Sequence, residues 1–147
     1  MNYNTSNPNL PIMIAVNPMH RYVADSVALI FRLEQKRLGI VATSIFLDVE
    51  QNQALLIIPA IVLAEILYLS ERNRIVATLQ DVRNYMDRFS SCQEQPLTFD
   101  IIATAESITD IPELHDRLIV ATAVYLSAPV ITKDAKISHS IHVQTIW

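Results

Sequence analysis

Four acidic side chains stand where they could share one reaction. Glu65 is the lone charge in the stretch IPAIVLAEILYL, residues 58–69. An ionised carboxylate buried without a partner is very costly, so its presence there asks for one. Asp25 closes the segment RYVAD, Asp116 opens the run DRLIVATA, and Asp134 follows PVIT by two residues. Four carboxylates gathered on one surface repel one another, and some must take up protons unless a positive group joins them. A hard divalent cation with oxygen ligands, Mg²⁺ or Mn²⁺, resolves this repulsion. The charge count agrees: the chain has 15 acids against 11 Lys and Arg, a net charge of -4, and setting these four aside leaves equal numbers.

Each acid also has a plainer reading. Asp25 could cap a helix. Asp116 could be a first-turn acid favoured by the helix dipole. Asp134 could be a turn residue. Glu65 could pair with Arg72 or Arg74, although neither lies four residues on. The coincidence of all four at one predicted edge favours a site, and that edge depends on the elements.

RYVAD reads as a short strand ending at Asp25, and SVALIFRLEQKRL as a helix with Ser26 near its cap. IVATSIFLDVEQNQ reads as a second helix, and ALLII as an apolar strand stopped by Pro59. Pro59 suits the first turn of the helix AIVLAEILYLSERNR. IVATLQDVRNYMDRFSS has helical spacing; PLTF reads as a strand, with Asp100 as cap for IIATAES. LHDRLIVATAVYLS is a helix, PVIT a strand and VQTIW a final strand. Strands that alternate with helices and are almost wholly apolar predict an α/β fold with a parallel sheet covered on both faces. In such sheets, ligands bind at the carboxyl ends of the strands. Asp25 and Asp134 follow strands directly. Glu65, about a turn and a half into its helix, leans back over the same edge.

Composition narrows the alternatives. At 147 residues and 51% hydrophobic the chain fits one domain with a sizeable core. A negative net charge excludes a generally basic nucleic-acid binder. One cysteine, Cys92, excludes an internal disulfide and a thiolate metal cluster. One glycine, Gly39, excludes a glycine-rich phosphate loop and leaves the turns to Asn, Asp, Ser and Pro. The longest apolar run, Ala54 to Leu69, holds Pro59 and Glu65 and falls short of a bilayer span. The early residues lack the pattern of a signal peptide, so a cytoplasmic protein with no membrane partner is expected. Residues 1–19 are expected to form an N-terminal extension, in disorder, with residues 20–147 as the domain; Met19 is then a candidate start.

YVADSVALI, IPAIVLAEILYL, ELHDRLIVATAVYLSAPVITKD and the ending VQTIW together resemble the PIN domain family, and within it the VapC toxins of bacterial toxin–antitoxin pairs. The resemblance spans nearly everything from about residue 20 onward. It implies a three-layer α/β/α sandwich around a short central parallel sheet, and metal-dependent RNA cleavage. The family's acidic quartet carries over onto Asp25, Glu65, Asp116 and Asp134. The hydroxyl beside the first acid maps to Ser26, and that of the TKD turn to Thr132. The resemblance also implies an RNA substrate, a small antitoxin as partner and a homodimer. The extension before residue 20 departs from the family pattern. With Mg²⁺ or Mn²⁺ on such a site, a metal-activated water is the expected nucleophile.

Arg117 and Lys133 flank two of the acids and are candidates for holding phosphate or staying as solvated surface. His115 reads as a helix-start residue, and the pair His139 and His142 lacks a third ligand for zinc. Tyr22, Tyr68 and Tyr125 read as packing residues rather than stacking platforms. Leu33, Ile45, Phe46 and Leu47 are candidates for a partner groove. Three alternatives remain: a phospho-receiver domain, which lacks the paired acids expected after its first strand; a PIN domain with a role in RNA processing or in non-catalytic binding; and a pure protein-interaction partner.

Overall fold

The computed structural model describes residues 19–147. The expectations for the N-terminal extension fall outside them, apart from Met19. Five parallel strands form one sheet in the order β3-β2-β1-β4-β5. They are β1 (Arg21–Ala24), β2 (Leu55–Pro59), β3 (Cys92–Gln95), β4 (Val130–Ile131) and β5 (Thr145–Ile146). Among the described residues, seven helices connect or follow them: α1 (Ser26–Leu33), α2 (Ile40–Glu50), α3 (Ala60–Glu71), α4 (Leu79–Arg88), α5 (Phe99–Ala105), α6 (Leu114–Leu126) and α7 (Ala135–Ser138). The chain builds one half of the sheet from β1 outward through β2 and β3, then crosses to β4 on the other side of β1. The order therefore reverses at β1. This is where an open α/β sheet leaves a crevice at its carboxyl edge.

The core follows from the apolar strands. Val23, Leu56, Ile58, Val130 and Ile131 of the sheet are fully buried, with Leu29, Phe46, Ile66 and Val120 packed on them from the helices. Val23 lies in register with both Ile57 and Val130, so the two halves meet on one short central strand. With a single glycine available, the left-handed turn positions fall to Gln35, Asn52, Asn73 and Ser127. Gly39 has an ordinary negative φ and serves another need. A Cβ there would lie 2.3 Å from the carbonyl carbon of Trp147.

Several local expectations are corrected. The third strand lies at Cys92–Gln95, not at PLTF, because Leu56, Ile57, Ile58 and Pro59 of β2 pair with that polar segment through the backbone. Thr98 instead caps α5 by accepting the Ile101 N–H, leaving Asp100 in the first turn. The fourth helix starts at Leu79, held by a capping box between Thr78 and Asp81, so IVA precedes it. Pro59 is the last residue of β2 and the N-cap of α3. The short helix α7 follows Asp134 where none was expected. Ile45 and Phe46 are core residues at 5% and 0% exposure and cannot form a partner groove; on α2 the exposed apolar residues are Ile40, Val41 and Leu47.

Candidate active site

Asp25 is the residue that leaves β1 at the switch point, and it caps α1 by accepting the Ala28 N–H at 2.8 Å. The plainer reading is thus also true, yet a cap does not require burial, and Asp25 is only 4% exposed. Asp134 leaves β4 through a short turn, where its N–H donates to the Thr132 hydroxyl at 3.0 Å. Its own carboxylate accepts the Lys136 N–H at 2.8 Å and caps α7. Glu65 is the sixth residue of α3 and accepts a hydrogen bond from the Ser26 hydroxyl, which ties α3 to the start of α1. Asp116 stands in the first turn of α6, a helix that leads down into β4 and so begins at the carboxyl edge of the sheet.

The electrostatics bring these four together. Burial pushes the Asp25 carboxyl up to about 6, with the charges of Asp134 and Glu65 adding to the effect and the Thr132 hydroxyl and Ala28 N–H opposing it. Asp116 is likewise pushed up to about 6, by burial first and then by Glu113, Asp134 and Glu65, against Lys136. Two acids thus feel the same two neighbours, so all four lie within one electrostatic field. The carboxylates of Asp25, Glu65 and Asp134 are nonetheless each engaged locally, and among the described residues no three His, Cys, Asp or Glu side chains are drawn into one tight ligand set. The chemistry of the donors fits a hard divalent cation, since all are carboxylate oxygens with no thiolate or imidazole among them.

The residues around the acids divide. Ser26 and Thr132, 5% and 1% exposed, both bond to site acids or their turns. Arg117 points its Nε to the Ile111 carbonyl at 2.9 Å and secures the loop before α6. Lys133 is exposed, with its Nζ 4.3 Å from the Phe31 ring centroid and 5.7 Å from that of Trp147. His115 bonds to Glu113 at 2.9 Å at the helix start. His142 lies 3.7 Å from Asp110, and His139 ends α7.

Two residues were missed. Glu113 is the N-cap of α6, accepts the Asp116 N–H at 2.8 Å and adds a fifth carboxylate. Its place three residues before Asp116 was the available signal. Tyr68 is 50% exposed instead of packed, and lines a groove of about 560 Å³ with Glu65, Leu69, Glu113, His115 and Asp116. Its spacing from Glu65 places both on one face of α3. Tyr22, by contrast, packs against the core, and Tyr125 is exposed.

A reversed parallel sheet with acids along its carboxyl edge defines an α/β protein with a candidate ligand site at that edge. Residues 22–140 match the model of the PIN domain. The chain belongs to the PIN domain family. Among solved structures, it resembles a chain of VapBC2 from Rickettsia felis bound to a promoter DNA fragment, at 14% identity and a TM-score of 0.64 over 86% of this chain and 98% of that one. DNA-bound VapBC from Salmonella typhimurium is similar at 15% identity and TM-score 0.64, covering 87% and 98%. FitAcB from Neisseria gonorrhoeae gives 15% and 0.57, covering 86% and 96%. At this identity the likeness is one of fold. No curated protein sequence matches the chain. Among the described residues no helix is long and apolar enough to cross a membrane.

Proposed function

We propose that this protein is a metal-dependent endoribonuclease, the toxin of a VapBC-type pair, acting through Asp25, Glu65, Asp116 and Asp134. The observation that carries the reading is the buried Asp25 at the switch point, with the adjacent Ser26 tied to Glu65 and the charges of Glu65 and Asp134 acting on both Asp25 and Asp116. A fold seldom keeps an acid buried beside other acids unless the site uses it. Mg²⁺ or Mn²⁺ held by these carboxylates would supply Lewis acidity and a nucleophile near neutral pH. The chain's own residues prepare the site. Ser26 orients Glu65, Thr132 sets the turn carrying Asp134, and Glu113 fixes the helix start carrying Asp116. Without a cation the same acids repel a phosphodiester, so substrate entry and cation binding are coupled. No histidine is required as base.

The test is cleavage of RNA by purified protein with Mg²⁺, with Mn²⁺, with Zn²⁺ and in EDTA. Cleavage is expected with the first two alone, and Asp25→Ala or Glu65→Ala abolishes it while the circular dichroism spectrum is kept. Equal cleavage in EDTA, or an active Asp25→Ala, sinks the reading. The solved complexes that share the fold carry antitoxin partners in their names, VapBC and a toxin–antitoxin complex from Klebsiella pneumoniae. A small antitoxin and a second copy of this chain are accordingly the proposed protein partners. The exposed apolar residues Ile40, Val41, Phe99, Ile102 and Leu114 give such partners surface to cover. A monomer that co-purifies with nothing from its native operon would count against both.

A further inference from the structure

We propose that the groove between α3 and α6 holds one unpaired nucleobase of the RNA strand, stacked on Tyr68, beside the acids that act on its phosphate. The inference rests on the nuclease reading and specifies its substrate as single-stranded at the site. Tyr68 lies three residues beyond Glu65 on α3, so a base on its ring and a phosphate near Glu65 are neighbours along one strand. The ring is half exposed, and the Arg72 guanidinium stands 3.6 Å from its centroid. That cation–π pair covers one face of the ring and holds it in place. Leu69 adds apolar surface, and His115 with Glu113 and Asp116 forms the wall on α6.

Charge selects the occupant. With a cation on Glu65 and Asp116 one phosphate is held there, while Glu113 repels a second and Ala64, Tyr68 and Leu69 offer apolar surface. The uncharged part of a nucleotide is the base, whose face stacks on an aromatic ring and whose amino groups can donate to carboxylates. The groove's 560 Å³ falls within the roughly 300–1,000 Å³ usual for small-ligand sites. A paired base is buried in its own stack and has no free face, so only an unpaired one enters.

The experiment compares the unmodified protein with Tyr68→Ala and Tyr68→Phe. It measures binding of a fluorescent single-stranded RNA hexamer with Ca²⁺ in place of Mg²⁺, a larger oxygen-binding cation that occupies carboxylates with looser geometry, and KM and kcat for its cleavage with Mg²⁺. Tyr68→Ala should weaken hexamer binding and raise KM by about 5- to 100-fold, the range for losing one stacked base, while Tyr68→Phe stays within about twofold. A hexamer with one abasic position should bind the unmodified protein more weakly, and Tyr68→Ala should remove that difference. Cleavage with no Tyr68→Ala effect on binding or KM overturns the subsite and leaves the nuclease. Tyr68-dependent binding without cleavage supports the subsite and sinks the nuclease. Loss of both activities in the unmodified protein overturns both. If Tyr68→Ala changes only the oligomeric state in light scattering, the groove is a protein interface and the proposal is wrong.

Discussion

Glu113 Oε2 accepts the backbone N–H of Asp116 at 2.8 Å, so one carboxylate holds the helix end from which another projects. The arrangement has two opposed effects. As an N-cap it satisfies a backbone donor that would otherwise lack a partner. As a charge it is, after burial, the largest cause of the raised Asp116 pKa.

Glu113→Ala should therefore lower stability by about 0.5–2 kcal/mol, the usual loss for a cap. Glu113→Gln keeps an acceptor but removes the charge. Its stability should stay nearer the unmodified protein, and the Asp116 carboxyl should titrate at lower pH. Carboxyl NMR titration in EDTA reads the second effect directly. An Asp116 titration that does not move in Glu113→Gln would show that the two charges are not coupled.

The site also predicts a pH dependence. Asp25 has a folded pKa of about 6 against a usual 3.8. The folded state thus binds this proton more tightly than the unfolded chain. The stability this gives is complete below the usual value and is lost as pH rises through about 6. For a group this buried the loss is about 3 kcal/mol by pH 7 and above. Asp116 acts in the same direction, less strongly because solvent screens it. Glu50 and Glu113 have lowered values and act in the opposite sense, but at more acidic pH. Urea midpoints in EDTA should fall between pH 5 and 7.5. Asp25→Asn should flatten the fall, and its comparison with the unmodified protein removes every contribution common to both. An Asp25→Asn curve parallel to that of the unmodified protein would show that Asp25 is ionised throughout.

The sequence carried the parts of this protein that repeat a pattern. Apolar strands, long helices and the acids after them were readable because burial imposes periodicity. The third strand was not, because CQEQ has no apolar pattern and owes its conformation to backbone pairing with β2 on one side. The face of α2 was not readable either: apolar residues surround it, and only packing decided that Phe46 goes in while Ile40, at 89% exposure, stays out. Glu113 was missed because capping rules favour Ser, Thr, Asp and Asn. The mutual field of the four acids depends on burial and distance, which no spacing rule supplies.

Gly39 and Trp147 give a prediction outside the acids. A Cβ on Gly39 would meet the Trp147 carbonyl carbon at 2.3 Å and the side-chain Cδ1 at 2.7 Å. Backbone cannot yield as a flexible side chain can, so Gly39→Ala should cost about 1–3 kcal/mol, as overpacking does. Trp147 contacts Phe31 edge-on, and Lys133 lies over both rings next to Asp134. The thermal melt measures the loss. An unchanged melting temperature would show that the Trp147 backbone moves freely away from Gly39.

Asp116→Asn separates repulsion from ligation. In EDTA, the neutral side chain removes a carboxylate whose pKa is raised by burial and by the charges of Glu113, Asp134 and Glu65, so the variant's melting temperature should equal or exceed that of the unmodified protein near pH 7.5. The Asn oxygen is a weaker donor to a hard cation than a carboxylate. A cation that binds only the folded state adds stability that grows with its concentration relative to Kd. Added Mg²⁺ should therefore raise the melting temperature of the unmodified protein more than that of Asp116→Asn. The gap should widen above pH 6, where the Asp116 carboxyl has lost its proton and no longer has to release it to bind. Thermal melts across a Mg²⁺ series at pH 5.5 and 7.5 measure both effects. Equal shifts for the two proteins at pH 7.5 would show that Asp116 takes no part in holding the cation.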